Sequence, residues 1–220
     1  MKKILLVLIV LTILCPTISH AQNYALQGAL KKEYKSKIKE FKKGGWQVFG
    51  SSRTLEVLLF NHLDWLNNRD DVYEIVGVAS AFKSKNVGKQ IAMNNACITY
   101  ASQMSSTIKG RVISDIKEDV SSQSEFEQFY SIFERSIEQE IKGEMKESFC
   151  LIRENGNGTF EMQTFFLVNE EAALDARRRA LKNAAKEAIA AEKYADIVSK
   201  YINEKVYPTK FVAEDVGRNL

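Results

Sequence analysis

The residues able to do chemistry are few in this chain, and they limit its possible sites before any fold is considered. Once an amino-terminal export signal carrying His20 is set aside, His62 is the only histidine, and Cys97 and Cys150 are the only cysteines. A metal site or relay built from several histidines therefore cannot form within one chain. The sequence also contains no G-x-S-x-G, G-x-x-x-x-G-K, H-E-x-x-H or C-x-x-C motif.

His62 lies on the apolar face of a predicted helix, which favours a packed, hydrogen-bonded histidine over a ligand or general base. Cys97 and Cys150 are its possible nucleophilic partners, but both fall in apolar surroundings that make a thiol inert. A disulfide between them stays open, because spacing specifies no geometry. Two carboxylates suffice for sugar hydrolysis, yet no pair stands out. We therefore expect a protein that is not an enzyme and has no cofactor or metal site.

Two groups of residues are candidates for binding an anion or a small ligand. Arg177, Arg178 and Arg179 could hold a phosphate or a sugar acid, although Asp175 lies close enough along the helix to neutralise part of their charge. Phe129, Tyr130 and Phe133 share one helix face and could line a pocket. Core packing and a solvated charged face are the simpler interpretations of these two groups.

The amino terminus indicates export. Lys2 and Lys3 precede an apolar stretch at 4–14, and Ser19-His20-Ala21 is a small-x-small cleavage site, which predicts a signal peptide over 1–21 that is cleaved after Ala21. Leu14 before Cys15 is too bulky for a lipidation signal. Removal of the two lysines lowers the formal charge from +3 to +1, which gives no general reason to expect a nucleic-acid partner. The predicted location is the periplasm or the outer membrane.

The central element of the predicted fold is a helix over residues 86–113. It has no Asp, Glu, Lys, Arg or His between Lys89 and Lys109, so we expect protein to cover most of it. Its polar amides and hydroxyls argue against a membrane span. The spacing predicts a packing seam, and small residues beside it, Gly88, Ala92 and Ala96, would allow close approach. The seam comprises Val87, Ile91, Asn94, Ile98, Ala101, Ser105, Ile108 and Val112.

The remaining pattern predicts an α+β fold with a small antiparallel or mixed sheet packed by long helices. Its order is a strand at 72–82, the central helix, an aromatic helix at 124–142, a hairpin turning at 155–158, and one alanine-rich helix at 170–205. We expect residues 22–71 to form a helical extension packed on a core at 72–206, and residues 207–220 to form a loose tail. The first helix has a basic face that is either solvated or in peripheral contact with an anionic membrane surface. That face comprises Lys31, Lys32, Lys35, Lys39 and Lys42.

A family resemblance adds to this reading. Three segments in order resemble the small envelope lipoproteins of the Lpp-twenty type. They are the strand Gly77-Val78-Ala79, the helix residues Ala92, Ala96 and Ala101, and the helix exit Ile108-Lys109-Gly110-Arg111-Val112. They also resemble the amino-terminal module of a flagellar outer-membrane-ring protein. The turn at 44–46 and the helix start at 55–56 are similar to those of exported Bacteroidota proteins of unknown function. These resemblances imply a dodecin-like core and an envelope location, and they supply no catalytic residues.

The sequence as a whole favours a non-enzymatic structural or interaction protein of the cell envelope. A complete packing pattern with no chemical motif left over points to a module that works through its sheet edges and helix faces. Its partners would be other envelope proteins or a second copy of itself. The alternative is an envelope protein that binds a small ligand or an anion.

Overall fold

The computed structural model describes residues 28–115, 123–187 and 191–202. Within these ranges the chain forms six helices and one four-stranded sheet, so the predicted α+β class is confirmed. The predicted signal peptide and the predicted tail at 207–220 lie outside the described residues. The elements are α1 (28–43), β1 (Gln47–Phe49), α2 (Leu55–Asn67), β2 (Val72–Phe82), α3 (Lys85–Asp115), α4 (Gln123–Ile141), β3 (Lys146–Glu154), β4 (Phe160–Asn169), α5 (Glu170–Glu187) and α6 (Ala191–Ile202).

The sheet has the strand order β1-β3-β4-β2, and every neighbouring pair is antiparallel. Helices α1 and α2 cover one face, where Phe41 and Leu59 pack on Phe149 and Phe165. Helices α3 to α6 cover the other face in a larger core. Because β1 pairs with β3, the predicted helical extension also supplies an edge strand of the sheet.

Helix α3 packs unusually close to β2, as its small residues predicted. A Cβ placed on Gly77 would lie 1.9 Å from the carbonyl oxygen of Ala92 and 3.1 Å from the Cβ of Ala96. No side chain fits at position 77, so the glycine in the strand and the alanines in the helix together allow the two backbones to come this close. A Cβ on Gly88 would likewise collide with the ring of Phe82, 2.3 Å away.

The seam predicted for α3 is wrong in its first half. Val87, Ile91 and Ile98 are 48%, 37% and 48% exposed, whereas Ala92 and Ala96 are fully buried. The close approach at Gly77 selects the small face of the helix, which turns the larger aliphatic side chains outward. Farther along, seam residues such as Ile108 and Val112 are buried against α4 and α6, where helices rather than a strand form the contact.

The hairpin between β3 and β4 is confirmed. The Asn155 N–H donates to the Thr159 carbonyl at 2.7 Å, and the Gly158 N–H donates to the Asn155 carbonyl at 3.2 Å. Gly158 has φ 73°, a left-handed conformation that glycine adopts without strain. The loop therefore has the backbone that its Asn and Gly content predicts.

The predicted single helix at 170–205 is wrong, because the structure has two helices, α5 and α6. Tyr194 of α6 packs on Phe126 and Phe129 of α4, with ring centroids 5.5 and 5.9 Å away. Ala180 and Ala184 of α5 are buried in the same core. The seven-residue apolar repeat identified residues that share this core, but it did not reveal that two separate helices carry them.

Candidate functional site

A break in the regularity of β3 places Ser148 next to His62. Glu147 pairs with Phe166 and Phe149 pairs with Phe165, so Ser148 has no partner in the register and forms a β-bulge. Strict alternation from Phe149 would direct Ser148 to the face covered by α3. The bulge instead turns it toward α2, where its Oγ lies 3.0 Å from Nδ1 of His62.

His62 is held on both sides of its ring. Nε2 lies 2.5 Å from Oε2 of Glu74, on β2, and Nδ1 faces Ser148. The imidazole is 1% exposed, and the rings of Phe149 and Phe165 meet it edge-on at 5.3 and 6.0 Å. The prediction of a packed, hydrogen-bonded histidine is confirmed, and its two partners align Ser148, His62 and Glu74 in one chain of hydrogen bonds.

Neither partner was identified from the sequence. Glu74 carries a usable signal, since it is the only charged residue in an eleven-residue apolar strand and a lone carboxylate there needs a partner. The sole histidine on an apolar helix face was its natural counterpart. Ser148 carries no such signal, because nothing in the local sequence marks the bulge.

Ser148 also lines a cleft of about 500 Å³ between α2, the start of β3 and the end of β4. Trp65 forms one wall, and its ring has the guanidinium of Arg69 at 4.7 Å and the ammonium of Lys146 at 5.4 Å from its centroid. The lining residues are Arg53, Leu58, Asn61, Trp65, Arg69, Val72, Glu144, Lys146, Glu147, Ser148, Leu167 and Asn169.

The charges of this cleft do not cancel. Glu144 pairs with Arg179 at 2.7 Å and Glu147 pairs with Lys89 at 2.9 Å, and both of these cations lie outside the lining. The three lining cations, Arg53, Arg69 and Lys146, have no carboxylate within 4.0 Å in the described part of the chain. The cleft therefore presents a positive surface to a ligand.

The structure does not bring the three predicted arginines together into one anion site. Arg177 is buried, with Nη2 2.6 Å from Glu170 Oε1 and Nη1 2.7 Å from the Tyr100 hydroxyl. Arg178 pairs with Asp175 at 3.0 Å. Arg179 bridges Glu140 at 2.6 Å and Glu144 at 2.7 Å. Successive helical positions point about 100° apart, so each guanidinium meets carboxylates on its own side.

The three predicted aromatic residues form core rather than a pocket. Phe129 and Phe133 are fully buried and Tyr130 is 3% exposed. Their rings pack on one another at 6.5 Å for Phe129 and Phe133 and 6.0 Å for Tyr130 and Phe133. The simpler interpretation, core packing, is confirmed for all three.

Cys97 and Cys150 are both free and buried, in different clusters on the face of the sheet that α3 covers. Burial raises the pKa of the Cys97 thiol to about 11 and also raises that of Cys150. We expect iodoacetamide to modify neither thiol in the native protein at neutral pH and both in guanidinium chloride, as read by intact mass. Rapid modification of the native chain would contradict the burial of that cysteine.

No group of three or more His, Cys, Asp or Glu side chains suited to a metal ion occurs among the described residues. None of the helices in the described ranges has the length and apolar character of a membrane span. The lysines of α1 that are candidates for membrane contact are exposed, and Lys42 pairs with Glu56 at 2.5 Å.

Comparisons with protein families, curated proteins and solved structures find no match. The family resemblance therefore stays a prediction.

A second candidate surface is the outer edge of β2. The Glu170 N–H donates to the Asp71 carbonyl at 2.7 Å, so Asp71 and Glu170 are a hydrogen-bonded pair just before the first residues of the β2–β4 ladder. In an antiparallel ladder, every second residue of a strand bonds the neighbouring strand and the residues between point their backbone groups the other way. The backbone groups of Glu74, Val76 and Val78 therefore point away from β4. Asn95 of α3 confirms this direction, since its amide donates to the Val78 carbonyl at 2.7 Å.

Aliphatic side chains lie along the same edge. Ile91 and Ile98 flank Asn95 at helical spacing, and both are exposed, as are Val87 and Val78. The segment from Ile75 to Ala81 has no charged residue. Proteins commonly protect a sheet edge with lysine, proline or a bulge. Here the irregularity comes at the far end, between Ala79 and Phe82. The Val78 carbonyl bonds Asn95, and the outward backbone groups of Val76 have neither a bulge nor a charged side chain beside them.

Proposed function

We propose that this protein is an interaction module of the cell envelope that associates with a second copy of itself through the outer edge of β2. The observation that carries the proposal is the strand edge from Ile75 to Ala81, which contains no charged residue and has exposed aliphatic side chains beside it. An edge of this kind gains both backbone hydrogen bonds and apolar burial when another strand joins it.

A second copy fits this edge for reasons of symmetry. Two β2 strands can pair antiparallel about a two-fold axis, which would join two four-stranded sheets into one of eight strands. The same axis brings together the two stripes formed by Val87, Ile91 and Ile98 on one face of the joined sheet. An uncharged edge imposes no like-charge repulsion on this pairing. The envelope location rests on the predicted signal peptide.

Sedimentation equilibrium of the chain that begins at Gln22 tests the proposal. We expect a dimer, and we expect Ile91→Lys combined with Ile98→Lys to raise the dimer dissociation constant at least ~100-fold, because four ammonium groups would meet in one apolar contact. Both isoleucines are exposed, so the monomer should keep its circular dichroism spectrum.

The matched control is Ile113→Lys. Ile113 is 53% exposed on the same helix but lies about 22 Å from Ile98 along the axis. This variant should remain dimeric. A wild-type chain that stays monomeric at all concentrations, or a double variant that dimerises as the wild type does, would overturn the proposal.

A second candidate function is the binding of an anionic ligand in the cleft, and the uncompensated charge of Arg53, Arg69 and Lys146 favours it. An anion there would approach three cations with no competing carboxylate pair, beside the Ser148 hydroxyl and the amide of Asn61. Attraction of this kind weakens with ionic strength because the cations are exposed.

Thermal unfolding with a panel of phosphate, sulfate, citrate and sugar acids tests this candidate. A ligand at a hundred times its dissociation constant stabilises the fold by about 2.7 kcal/mol. Arg53→Gln with Arg69→Gln and Lys146→Gln should abolish the shift, while a matched triple change on α1, Lys31→Gln with Lys35→Gln and Lys39→Gln, should preserve it. An unshifted melting temperature across the panel would remove the candidate.

A further inference from the structure

We propose that Ser148, His62 and Glu74 form a proton relay in which Ser148 is a nucleophile toward esters that carry an anionic group. This inference goes beyond self-association and does not depend on it, since the experiment that tests it detects a covalent bond to Ser148. It also departs from the sequence-based expectation of a protein without enzymatic activity, in which the possible nucleophilic partners of His62 are the two buried cysteines.

The hydrogen-bond partners determine the direction of proton transfer. A carboxylate can only accept, so the short contact from Glu74 Oε2 to Nε2 places the imidazole proton of neutral His62 on Nε2. Nδ1 is then an acceptor, and the Ser148 hydroxyl at 3.0 Å donates to it. The Ser148 oxygen is left with lone pairs free to attack while its proton is already directed at a base.

The surroundings hold this arrangement in place and give it access to one side. Phe149 and Phe165 pack edge-on against the imidazole, and its 1% exposure keeps bulk water from competing for the ring. Ser148 is half-buried and lines the cleft, so a substrate meets the relay at the serine. A bulge that re-aims one side chain is a recurring feature beside active sites.

The reaction that this geometry supports is acyl transfer to water. The Ser148 oxygen bonds to the ester carbonyl carbon and its proton passes to Nδ1 of His62. The ester C–O bond breaks, and the departing alkoxide takes that proton and leaves as an alcohol. Water then attacks the acyl-serine and gives a proton to His62, which returns it to the Ser148 oxygen as the acid leaves. Ester and water thus become acid and alcohol, and Glu74 positions the imidazole throughout.

The cleft indicates the class of ester. Arg53, Arg69 and Lys146 line the same space as Ser148, and the two lining glutamates are paired with cations outside it. Such a site favours a substrate with a carboxylate or phosphate on its acyl or alcohol part over a neutral ester of the same size.

A fluorophosphonate probe tests the proposal on the intact chain, because displacement of fluoride by the Ser148 oxygen leaves a stable phosphonyl adduct. We expect one adduct by intact mass, located on Ser148 by peptide mapping. Ser148→Ala should abolish it, and Glu74→Gln or His62→Gln should slow labelling at least ~100-fold, the usual contribution of general-base catalysis. Ser80→Ala, at an exposed serine on β2, is the matched control and should label like the wild type.

A second readout addresses the substrate class. After the rate without protein is subtracted for each ester, we expect the mono(4-nitrophenyl) ester of succinic acid to be hydrolysed faster than 4-nitrophenyl acetate, and Arg69→Gln with Lys146→Gln to reduce that preference. If His62→Gln fails to fold, Glu74→Gln and Ser148→Ala still decide the matter, since both side chains reach solvent. An unlabelled wild type, an adduct on another residue, or Glu74→Gln labelling at the wild-type rate would overturn the proposal.

Discussion

Replacement of Gly77 by alanine will destabilise the protein by about 3 kcal/mol or more, the upper range for overpacking a well-filled core. The added Cβ would lie 1.9 Å from the Ala92 carbonyl oxygen and 2.7 Å from its carbonyl carbon. Both are backbone atoms, so no rotamer change can relieve the overlap. Either α3 lifts from the sheet or β2 moves, and each disrupts buried contacts. Urea unfolding followed by circular dichroism gives the free-energy change.

Gly110→Ala is the control for this prediction. Gly110 lies in the same helix, and a Cβ there would meet nothing within 4 Å. Alanine has the higher helix propensity, so this change should stabilise the protein by about 0.5–1 kcal/mol. If Gly77→Ala instead changed stability by no more than a few tenths of a kcal/mol, the close contact between α3 and β2 would be contradicted.

The parts of the fold that the sequence predicts are those specified by local patterns. Asn155 to Gly158 indicate the hairpin because their backbone preferences belong to the turn itself. The aromatic face of α4 is recognisable because its period is that of a helix. By contrast, the orientation of α3 depends on its contact with Gly77, which lies in β2 and not in the helix itself. Periodicity alone ranks Ile91 and Ile98 above Ala92 as core residues, and the contact reverses that order.

The candidate site was harder to predict because it depends on contacts between distant segments. His62 meets Ser148 across 86 residues of sequence and Glu74 across 12. The bulge at Ser148 changes which face of the sheet that residue occupies, and no single-strand pattern encodes it. The three consecutive arginines at 177–179 show the opposite case. They form a conspicuous cluster in the sequence, but in the structure each one pairs with different carboxylates.

Arg177→Met will destabilise the protein by about 3–5 kcal/mol, the usual cost of removing one partner from a buried ion pair. The Arg177 side chain is 1% exposed, and it bonds both Glu170 and the Tyr100 hydroxyl. Methionine fills similar volume but leaves the Glu170 carboxylate 8% exposed without a cation. Oε2 of Glu170 already has no hydrogen-bond partner within the described residues, so little remains to stabilise the charge.

A second substitution separates this cause from a loss of packing. Glu170→Gln added to Arg177→Met removes the carboxylate that Arg177→Met leaves without a cation, so the double variant should recover part of the lost stability at neutral pH. Urea unfolding of the two variants and the wild type measures this recovery. Arg178→Met removes an exposed pair and should cost no more than about 0.5 kcal/mol. A deficit that Glu170→Gln leaves unchanged would mean that Arg177 stabilises the fold by filling space rather than by neutralising Glu170.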